Sequence, residues 1–219
     1  MSHFDPCASA VPQNEQELLR RAYGLSSDEE SQALYRDWAR TYDETMLEGL
    51  HYQSPNLVAD RLAALMPGLD IPVLDIGCGT GLAGRELSAR SFTVIDGIDI
   101  SPEMMAVAHE KGGYRDLICA DLNARLPLAD GAYQGAICCG TFTSGHVRAS
   151  CLDEIIRILA AGAPFAFTVK LEVWESFGFR GKLAQLEKAG LLAIVALEPG
   201  CLYADSPEAD GMFCSVRRL

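Results

Sequence analysis

The chain has 219 residues, which fits one domain with a sizeable core. Its formal net charge is −12, and this disfavours a nucleic-acid partner because such binding depends on Lys and Arg neutralising phosphates. No apolar run approaches the roughly 20 residues needed to span a bilayer, and the opening residues lack a signal-peptide pattern. We therefore expect a cytoplasmic protein with no membrane partner, and the sequence does not predict an oligomeric state.

Eight cysteines are present, but none forms a C-x-x-C pair. Several lie in apolar, strand-like runs, where cysteine packs as a small hydrophobic residue. We expect neither disulfides nor a metal site.

The N-terminal third is predicted to be helical after a flexible tail at residues 1–14. Residues 15–68 are expected to form helices that act as a lid, and residues 69–219 the core, all within one structural domain. Within a helix predicted over residues 28–50, apolar side chains recur every four residues, which places them on one stripe. They are Leu34, Trp38, Tyr42 and Met46.

A second helix is predicted to begin at Ser54-Pro55, with Ser54 as its N-cap and the proline in its first position. After residue 69, short apolar runs alternate with helical ones, a pattern typical of an α/β fold. We predict a Rossmann-like seven-stranded sheet, mostly parallel, with an antiparallel hairpin at one edge. The predicted strands are 73–76, 93–98, 117–120, 132–139, 165–169, 191–197 and 212–216.

A glycine-rich loop follows the first predicted strand. Gly77, Gly79 and Gly81 lack a Cβ, so a cofactor can lie against the main chain there, at the edge where open parallel sheets bind ligands. Asp75 adds a carboxylate at the end of that strand. A carboxylate in this position suits a cationic or amine-bearing ligand better than a pyrophosphate.

Acidic residues follow the next two strands as well. Asp99 ends the second strand, where a carboxylate can accept hydrogen bonds from ribose hydroxyls. Asp121 and Leu122 follow the third strand and are placed to meet the amino group and the apolar face of an adenine. Met104 either packs in the core or flanks the adenine.

A nicotinamide or flavin site is the main competing interpretation. Gly79-Thr80-Gly81-Leu82-Ala83-Gly84 matches G-x-G-x-x-G, and Asp99 lies about 20 residues further on. In that fingerprint the first glycine directly follows the strand, a position that Gly77 holds here. Counted from Gly77, the third glycine position is occupied by Leu82, so S-adenosylmethionine is the favoured ligand.

The segment Val73-Leu74-Asp75-Ile76-Gly77-Cys78-Gly79-Thr80-Gly81 resembles the first signature of class I S-adenosylmethionine-dependent methyltransferases. Gly97-Ile98-Asp99-Ile100-Ser101 resembles the second, whose acid holds the ribose, and Asp121-Leu122 resembles the adenine-side motif. Residues 159–163 resemble an L-x-P-G-G turn, with Ala161 and Ala163 in place of its proline and last glycine. The resemblance implies methyltransferase activity with S-adenosylmethionine as cofactor, and Cys78, Ile100 and Cys139 are assigned to the same site.

A narrower resemblance is to the Williams–Beuren-region methyltransferase-like proteins. It is carried by Trp38-Ala39-Arg40-Thr41-Tyr42-Asp43, by residues 140–147 and by residues 186–190. In such enzymes an aromatic residue of an N-terminal helix closes over the cofactor. By this resemblance Tyr42 takes that role, with Trp38 nearby.

Methyl transfer needs positioning and, for some acceptors, a base. His146 is the candidate catalytic base, because it follows the fourth strand; alternatively it caps the next helix or lies in solvent. Cys138 and Cys139 are expected to pack rather than to act as nucleophiles. Residues 139–142 replace the Asn- or Asp-Pro-Pro-Tyr turn that polarises planar amino groups in other methyltransferases.

The sequence therefore predicts a methyltransferase acting on a small-molecule substrate, with no nucleic-acid partner. Two alternatives stay open: an NAD(P)-dependent oxidoreductase, and a non-catalytic cofactor-binding scaffold with the methyltransferase fold.

Overall fold

The structure is a computed structural model that describes residues 34–144 and 147–219. The predicted tail at 1–14 and the first predicted helix, near residues 15–24, lie outside the described residues. His146 also lies outside them, so its proposed role as a base stays a prediction.

The described residues form the seven-stranded sheet that the sequence predicts, in the order β3-β2-β1-β4-β5-β7-β6. Strands β1 to β5 run parallel, whereas β7 is antiparallel to both β5 and β6. The expected antiparallel hairpin at one edge is therefore confirmed, with the reversed strand one position in from the edge. The strands are β1 (Val73–Ile76), β2 (Ile95–Asp99), β3 (Asp116–Cys119), β4 (Gly135–Phe142), β5 (Pro164–Lys170), β6 (Leu192–Gly200) and β7 (Gly211–Arg218).

Helices cover both faces of the sheet. They are α1 (Tyr42–Glu44), α2 (Ser54–Leu65), α3 (Leu82–Ala89), α4 (Pro102–Lys111), α5 (Cys151–Ile158), α6 (Leu171–Trp174) and α7 (Phe179–Lys188). Helix α4 has a local start signal: Ser101 accepts a hydrogen bond from the Met104 amide at 3.3 Å, and Pro102 takes the first position.

The buried apolar residues form two clusters, one on each face of the sheet. In β1, Val73 belongs to one cluster and Leu74 to the other, as the alternation of a strand dictates. Helices α2 and α3 contribute to the Val73 face, and α5 and α7 to the Leu74 face. Asp75 points to the same face as Val73.

The predicted helix over residues 28–50 is interrupted in its described part. Residues 34–38 are helical, a turn follows at 39–41, and α1 leads into a π-helical turn at Thr45–Gly49. This segment reaches the carboxyl ends of the strands, whereas α2 packs on the sheet with Val58 and Leu62 fully buried. We refer to residues 34–50 as the lid segment.

Two local predictions are wrong. Ser54 is not an N-cap; it lies inside α2, and its hydroxyl donates a 3.1 Å hydrogen bond to the Leu202 carbonyl. Strand β4 ends at Phe142 rather than at residue 139, because an irregularity between Cys138 and Phe142 lets it continue pairing with β5. Cys139 therefore lies inside the strand.

Among the described residues, no helix has the length and apolar character needed to cross a membrane. The seven cysteines in the described ranges are free thiols.

Candidate functional site

The loop after β1, residues 77–81, is held against β2 by the main chain. The amides of Gly77 and Cys78 both donate to the Ile98 carbonyl, at 2.8 and 3.1 Å. We refer to these five residues as the glycine loop. Its three glycines have positive φ angles of 67°, 51° and 91°, a region that favours glycine over L-residues.

Two of these glycines are required for different reasons. A Cβ on Gly77 would overlap the side chain of Thr141, whose own Cβ would be 2.9 Å away. A Cβ on Gly79 would meet only Met104 Cε, at 3.7 Å. The protein thus packs against Gly77 but leaves the space beside Gly79 open, and Met104 borders that space.

Asp99, the last residue of β2, is bound to the glycine loop. Its Oδ2 accepts a 2.8 Å hydrogen bond from the Gly79 amide, and its Oδ1 accepts one of 2.9 Å from the Ser101 amide. Burial raises the pKa of Asp99 and these backbone bonds lower it, with burial the larger effect. Each carboxylate oxygen keeps a further lone pair with which to accept a bond from a ligand hydroxyl.

Asp75 is buried beneath the glycine loop, with 1% of its surface exposed. Its Oδ2 accepts a 2.6 Å hydrogen bond from the Tyr114 hydroxyl, while its Oδ1 is buried without a hydrogen-bond partner. Burial raises the pKa of Asp75 to about 7, against the lowering effects of the Tyr114 bond and of the Gly84 main chain. An unpartnered buried carboxylate oxygen needs a donor, and the amine of a ligand supplies one.

Tyr114 also explains a glycine outside the loop, Gly84. A Cβ on Gly84 would overlap the Tyr114 hydroxyl, whereas one on Gly97 would first meet Leu117 and Cys78, at 2.7 and 2.8 Å, with the Tyr114 ring at 3.1 Å. Gly84 is the residue that completes the G-x-G-x-x-G match. Because Tyr114 accounts for it, the match needs no pyrophosphate.

The predicted adenine-side residues differ in how far they reach the surface. Asp121 is partly exposed, and its Oδ1 accepts a 2.8 Å hydrogen bond from the Asn123 amide. Leu122 is buried in the core. Ile100 is partly exposed beside Asp99, whereas the Cys78 side chain is turned inward, 2.8 Å from where a Gly97 Cβ would stand.

The lid segment brings two aromatic residues to this edge of the sheet. Trp38 is buried, and its indole Nε1 donates a 3.3 Å hydrogen bond to Thr45 Oγ1. Tyr42 is half-buried and packs edge-on against Trp38, with ring centroids 4.8 Å apart. Trp38 therefore packs against Tyr42 on its buried side, and Tyr42 is the residue of the pair that reaches the surface.

The residue after Tyr42 joins the lid segment to the glycine loop. Asp43 Oδ1 accepts a 2.5 Å hydrogen bond from the Thr80 hydroxyl, and Asp43 Oδ2 forms an ion pair with Lys111. Lys111 Nζ also donates to the Thr80 carbonyl at 2.7 Å. Asp43, Thr80 and Lys111 are referred to below as the Asp43 latch.

Cys139 lies near the carboxyl end of β4. Its Sγ is 3.2 Å from the Tyr52 hydroxyl. Burial raises the pKa of the Cys139 thiol to about 12, so the thiol stays protonated near neutral pH. This agrees with the expectation that Cys139 packs rather than acts as a nucleophile.

Two chain segments pair with each other beside this end of β4. The Ala204 amide donates to the His51 carbonyl at 2.9 Å, and the Gln53 amide donates to the Leu202 carbonyl at 3.1 Å. The Tyr52 and Tyr203 rings lie 5.2 Å apart. We refer to residues 51–54 and 202–205 as the closing bridge.

Sequence reasoning missed Asp43, Thr80, Lys111, Tyr114 and Tyr52 as residues of this region. Signals existed for some of them. Thr80 and Asp43 lie inside the motifs already quoted, and a glycine in a helix or a strand, such as Gly84 or Gly97, marks a close approach by another group. Lys111, Tyr114 and Tyr52 carry no local signal.

Known proteins resemble this chain in both sequence and fold. The profile of a family described as a methyltransferase domain matches residues 73–162. Methyltransferase-like protein 27 of Homo sapiens is 31% identical over 181 residues, covering 79% of this chain and 72% of that protein. The 18S rRNA (guanine-N(7))-methyltransferase RID2 of Arabidopsis thaliana is 36% identical over 190 residues, covering 77% of this chain and 62% of that protein.

The crystal structure of an S-adenosylmethionine-dependent methyltransferase from Aquifex aeolicus has a similar fold. Its TM-score is 0.61 at 20% identity, over 84% of this chain and 98% of that one. At that identity the likeness shows the fold alone.

Proposed function

The chain belongs to the class I S-adenosylmethionine-dependent methyltransferases, and we propose that the acceptor of its methyl group is a small molecule. The expected methyltransferase activity and its cofactor, S-adenosylmethionine, are confirmed by this membership. The likeness to methyltransferase-like protein 27 also confirms the narrower resemblance seen in the sequence. The nicotinamide-dependent oxidoreductase is thereby set aside.

We assign the cofactor to the glycine loop and the acids around it. Two observations support the fit: the open space beside Gly79, and the buried Asp75 Oδ1 that lacks a donor. The α-amino group of the cofactor would donate to Asp75, and its ribose hydroxyls to Asp99. Asp121 and Met104 would border the adenine.

The cofactor supplies a methyl group already activated on a sulfonium sulfur, so the protein has to orient reactants and exclude water. In this proposal Tyr42 covers the methionine part, supported by Trp38, and the glycine loop fixes the other side. His146 remains the proposed base for acceptors that lose a proton.

The closing bridge is the observation that carries the small-molecule proposal. It runs across the carboxyl end of β4, and Tyr52 touches Cys139 there. Burial, followed by the nearby Cys139, Tyr203 and Tyr42, raises the pKa of the Tyr52 phenol above its usual value. A neutral wall of phenol and thiol groups suits a compact, uncharged part of an acceptor better than a phosphate backbone.

Ribosomal RNA is the second candidate acceptor, favoured by the relative from Arabidopsis thaliana, which is named an 18S rRNA methyltransferase. The match covers 62% of that relative, so more than a third of its length has no counterpart in the alignment. The net charge of −12 also opposes binding to RNA.

A transfer experiment separates the two candidates. The full chain is incubated with S-adenosylmethionine carrying a tritiated methyl group and a cell extract, and the products are divided by ultrafiltration. We expect label in small molecules that pass the membrane and separate from S-adenosylmethionine on chromatography. A Gly79→Val variant should give no such product above the background of the extract alone. Label that is retained by the membrane and released by ribonuclease would replace the small-molecule proposal with RNA.

A further inference from the structure

We propose that Asp43 is a positioning residue that couples the lid segment to the glycine loop. The proposal rests on the assignment of the cofactor to that loop. Through the Asp43 latch, Tyr42 and the loop would stabilise each other's cofactor-binding arrangement, although Asp43 itself touches no reacting group.

The position of Asp43 in the chain is the first argument. It directly follows Tyr42, and α1 continues without a break into the π-helical turn that contains Thr45. Because the helical backbone is continuous, fixing the Asp43 carboxylate also restricts where the Tyr42 ring lies. Tyr42 also lies near Tyr52, since it contributes to the raised pKa of the Tyr52 phenol.

The partners of Asp43 are the second argument. Thr80 lies in the glycine loop between Gly79 and Gly81, and only 1% of its surface is exposed. Its hydroxyl donates to Asp43 and its carbonyl accepts from Lys111, so the latch engages both the side chain and the main chain of Thr80. A shift of the glycine loop would therefore break contacts with the lid segment, and the reverse holds as well.

The ion pair between Asp43 and Lys111 adds to this link. Lys111 is the last residue of α4, where a cation also interacts favourably with the helix dipole. The Asp43 and Lys111 side chains keep 28% and 35% of their surface exposed, so the ion pair alone contributes little. The hydrogen bond to the buried Thr80 is the part that transmits position to the loop. Asp43→Asn disturbs this bond, because the single acceptor oxygen of Asn cannot serve both the Thr80 hydroxyl and the Lys111 ammonium group.

The test compares Asp43→Asn with Glu44→Gln, the same loss of charge on the neighbouring, exposed residue. Binding of S-adenosylhomocysteine is measured by calorimetry. We expect Asp43→Asn to raise the Kd by about 5-fold or more, at the lower end of typical coupling between sites, and Glu44→Gln to leave it unchanged. Lys111→Met, a change at the surface, should weaken binding in the same direction and serves if Asp43→Asn folds poorly.

Two further measurements distinguish positioning from a general loss of structure. In a Trp174→Phe background Trp38 is the single tryptophan, and we expect the change in its emission on ligand binding to shrink in Asp43→Asn. In a Tyr42→Ala background, the effect of Asp43→Asn on the Kd should be smaller than in the unaltered chain, because part of that effect acts through Tyr42. Additive effects of the two substitutions would overturn the proposal.

The outcomes also separate this inference from the assignment beneath it. If the unaltered chain fails to bind S-adenosylhomocysteine, the assignment of the cofactor to the glycine loop is overturned, and the latch proposal is overturned with it. If the unaltered chain binds and Asp43→Asn binds equally well, only the latch proposal is overturned.

Discussion

The Gly79 amide donates a 2.8 Å hydrogen bond to Asp99 Oδ2, which fastens the loop after β1 to the last residue of β2. Asp99 thus has two tasks in the proposed site: it holds the main chain that faces the cofactor, and it offers its remaining lone pairs to the ribose. Both tasks fail together when the carboxylate is removed.

Asp99→Ala is therefore expected to weaken binding of S-adenosylhomocysteine by roughly 10- to 150-fold, which corresponds to about 1.5–3 kcal/mol from charge-assisted hydrogen bonds. Calorimetry measures the Kd directly. Asp116→Ala, at an exposed acid on β3, is the control and should bind normally. A Kd for Asp99→Ala equal to that of the unaltered chain would remove Asp99 from the ribose site.

The two glycines at the start of the loop should respond differently to substitution. Gly77→Ala forces a Cβ into Thr141, so we expect a lower melting temperature, partly restored by adding Thr141→Ala. Gly79→Val is strained by the φ of 51°, but its side chain enters open space beside Met104. We therefore expect a destabilised but folded protein that no longer binds S-adenosylhomocysteine. Thermal unfolding and calorimetry on both variants test the contrast, and ligand binding by a folded Gly79→Val would contradict it.

Much of the fold could be predicted from the sequence because local patterns determine it. All seven strands were predicted within a few residues, since each is a short apolar run next to turn residues. The end of β4 was missed, because its extension to Phe142 depends on pairing with β5 across an irregularity. The role of Ser54 was also missed, since its partner Leu202 lies 148 residues away.

The site was predictable where its chemistry lies within one motif. Asp75, Asp99 and the glycine loop follow directly from strand ends. Tyr114 and the Asp43 latch depend on contacts between distant segments: Tyr114 lies 39 residues from Asp75, and Thr80 lies 37 residues from Asp43. No local pattern indicates such pairs.

Stability should depend on pH through Asp75. Its pKa is raised from 3.8 to about 7 in the folded chain, so between these values the folded state holds a proton that the unfolded state has lost. The contribution of Asp75 to the free energy of unfolding therefore falls as pH rises from 4 to 7, and is constant above that. Asp75→Asn has no such titration. Between pH 4 and 7 its free energy of unfolding should therefore rise, relative to that of the unaltered chain, by up to about 4 kcal/mol. Urea unfolding of both chains from pH 4 to 8 measures the difference, and a difference independent of pH would show that Asp75 ionises normally.

The same raised pKa predicts a proton release on cofactor binding. Near pH 6.5 much of Asp75 is protonated in the free protein, because its pKa is about 7. An ammonium group at Asp75 Oδ1 favours the ionised carboxylate, so binding of S-adenosylhomocysteine should expel a fraction of a proton into the buffer. Calorimetry in two buffers of different ionisation enthalpy measures this fraction. We expect the release to vanish at pH 8.5, where Asp75 is already ionised, and to be absent at both pH values in Asp75→Asn. An equal release from Asp75→Asn would show that the proton comes from another group. It would contradict the proposed contact between the amine of the ligand and Asp75.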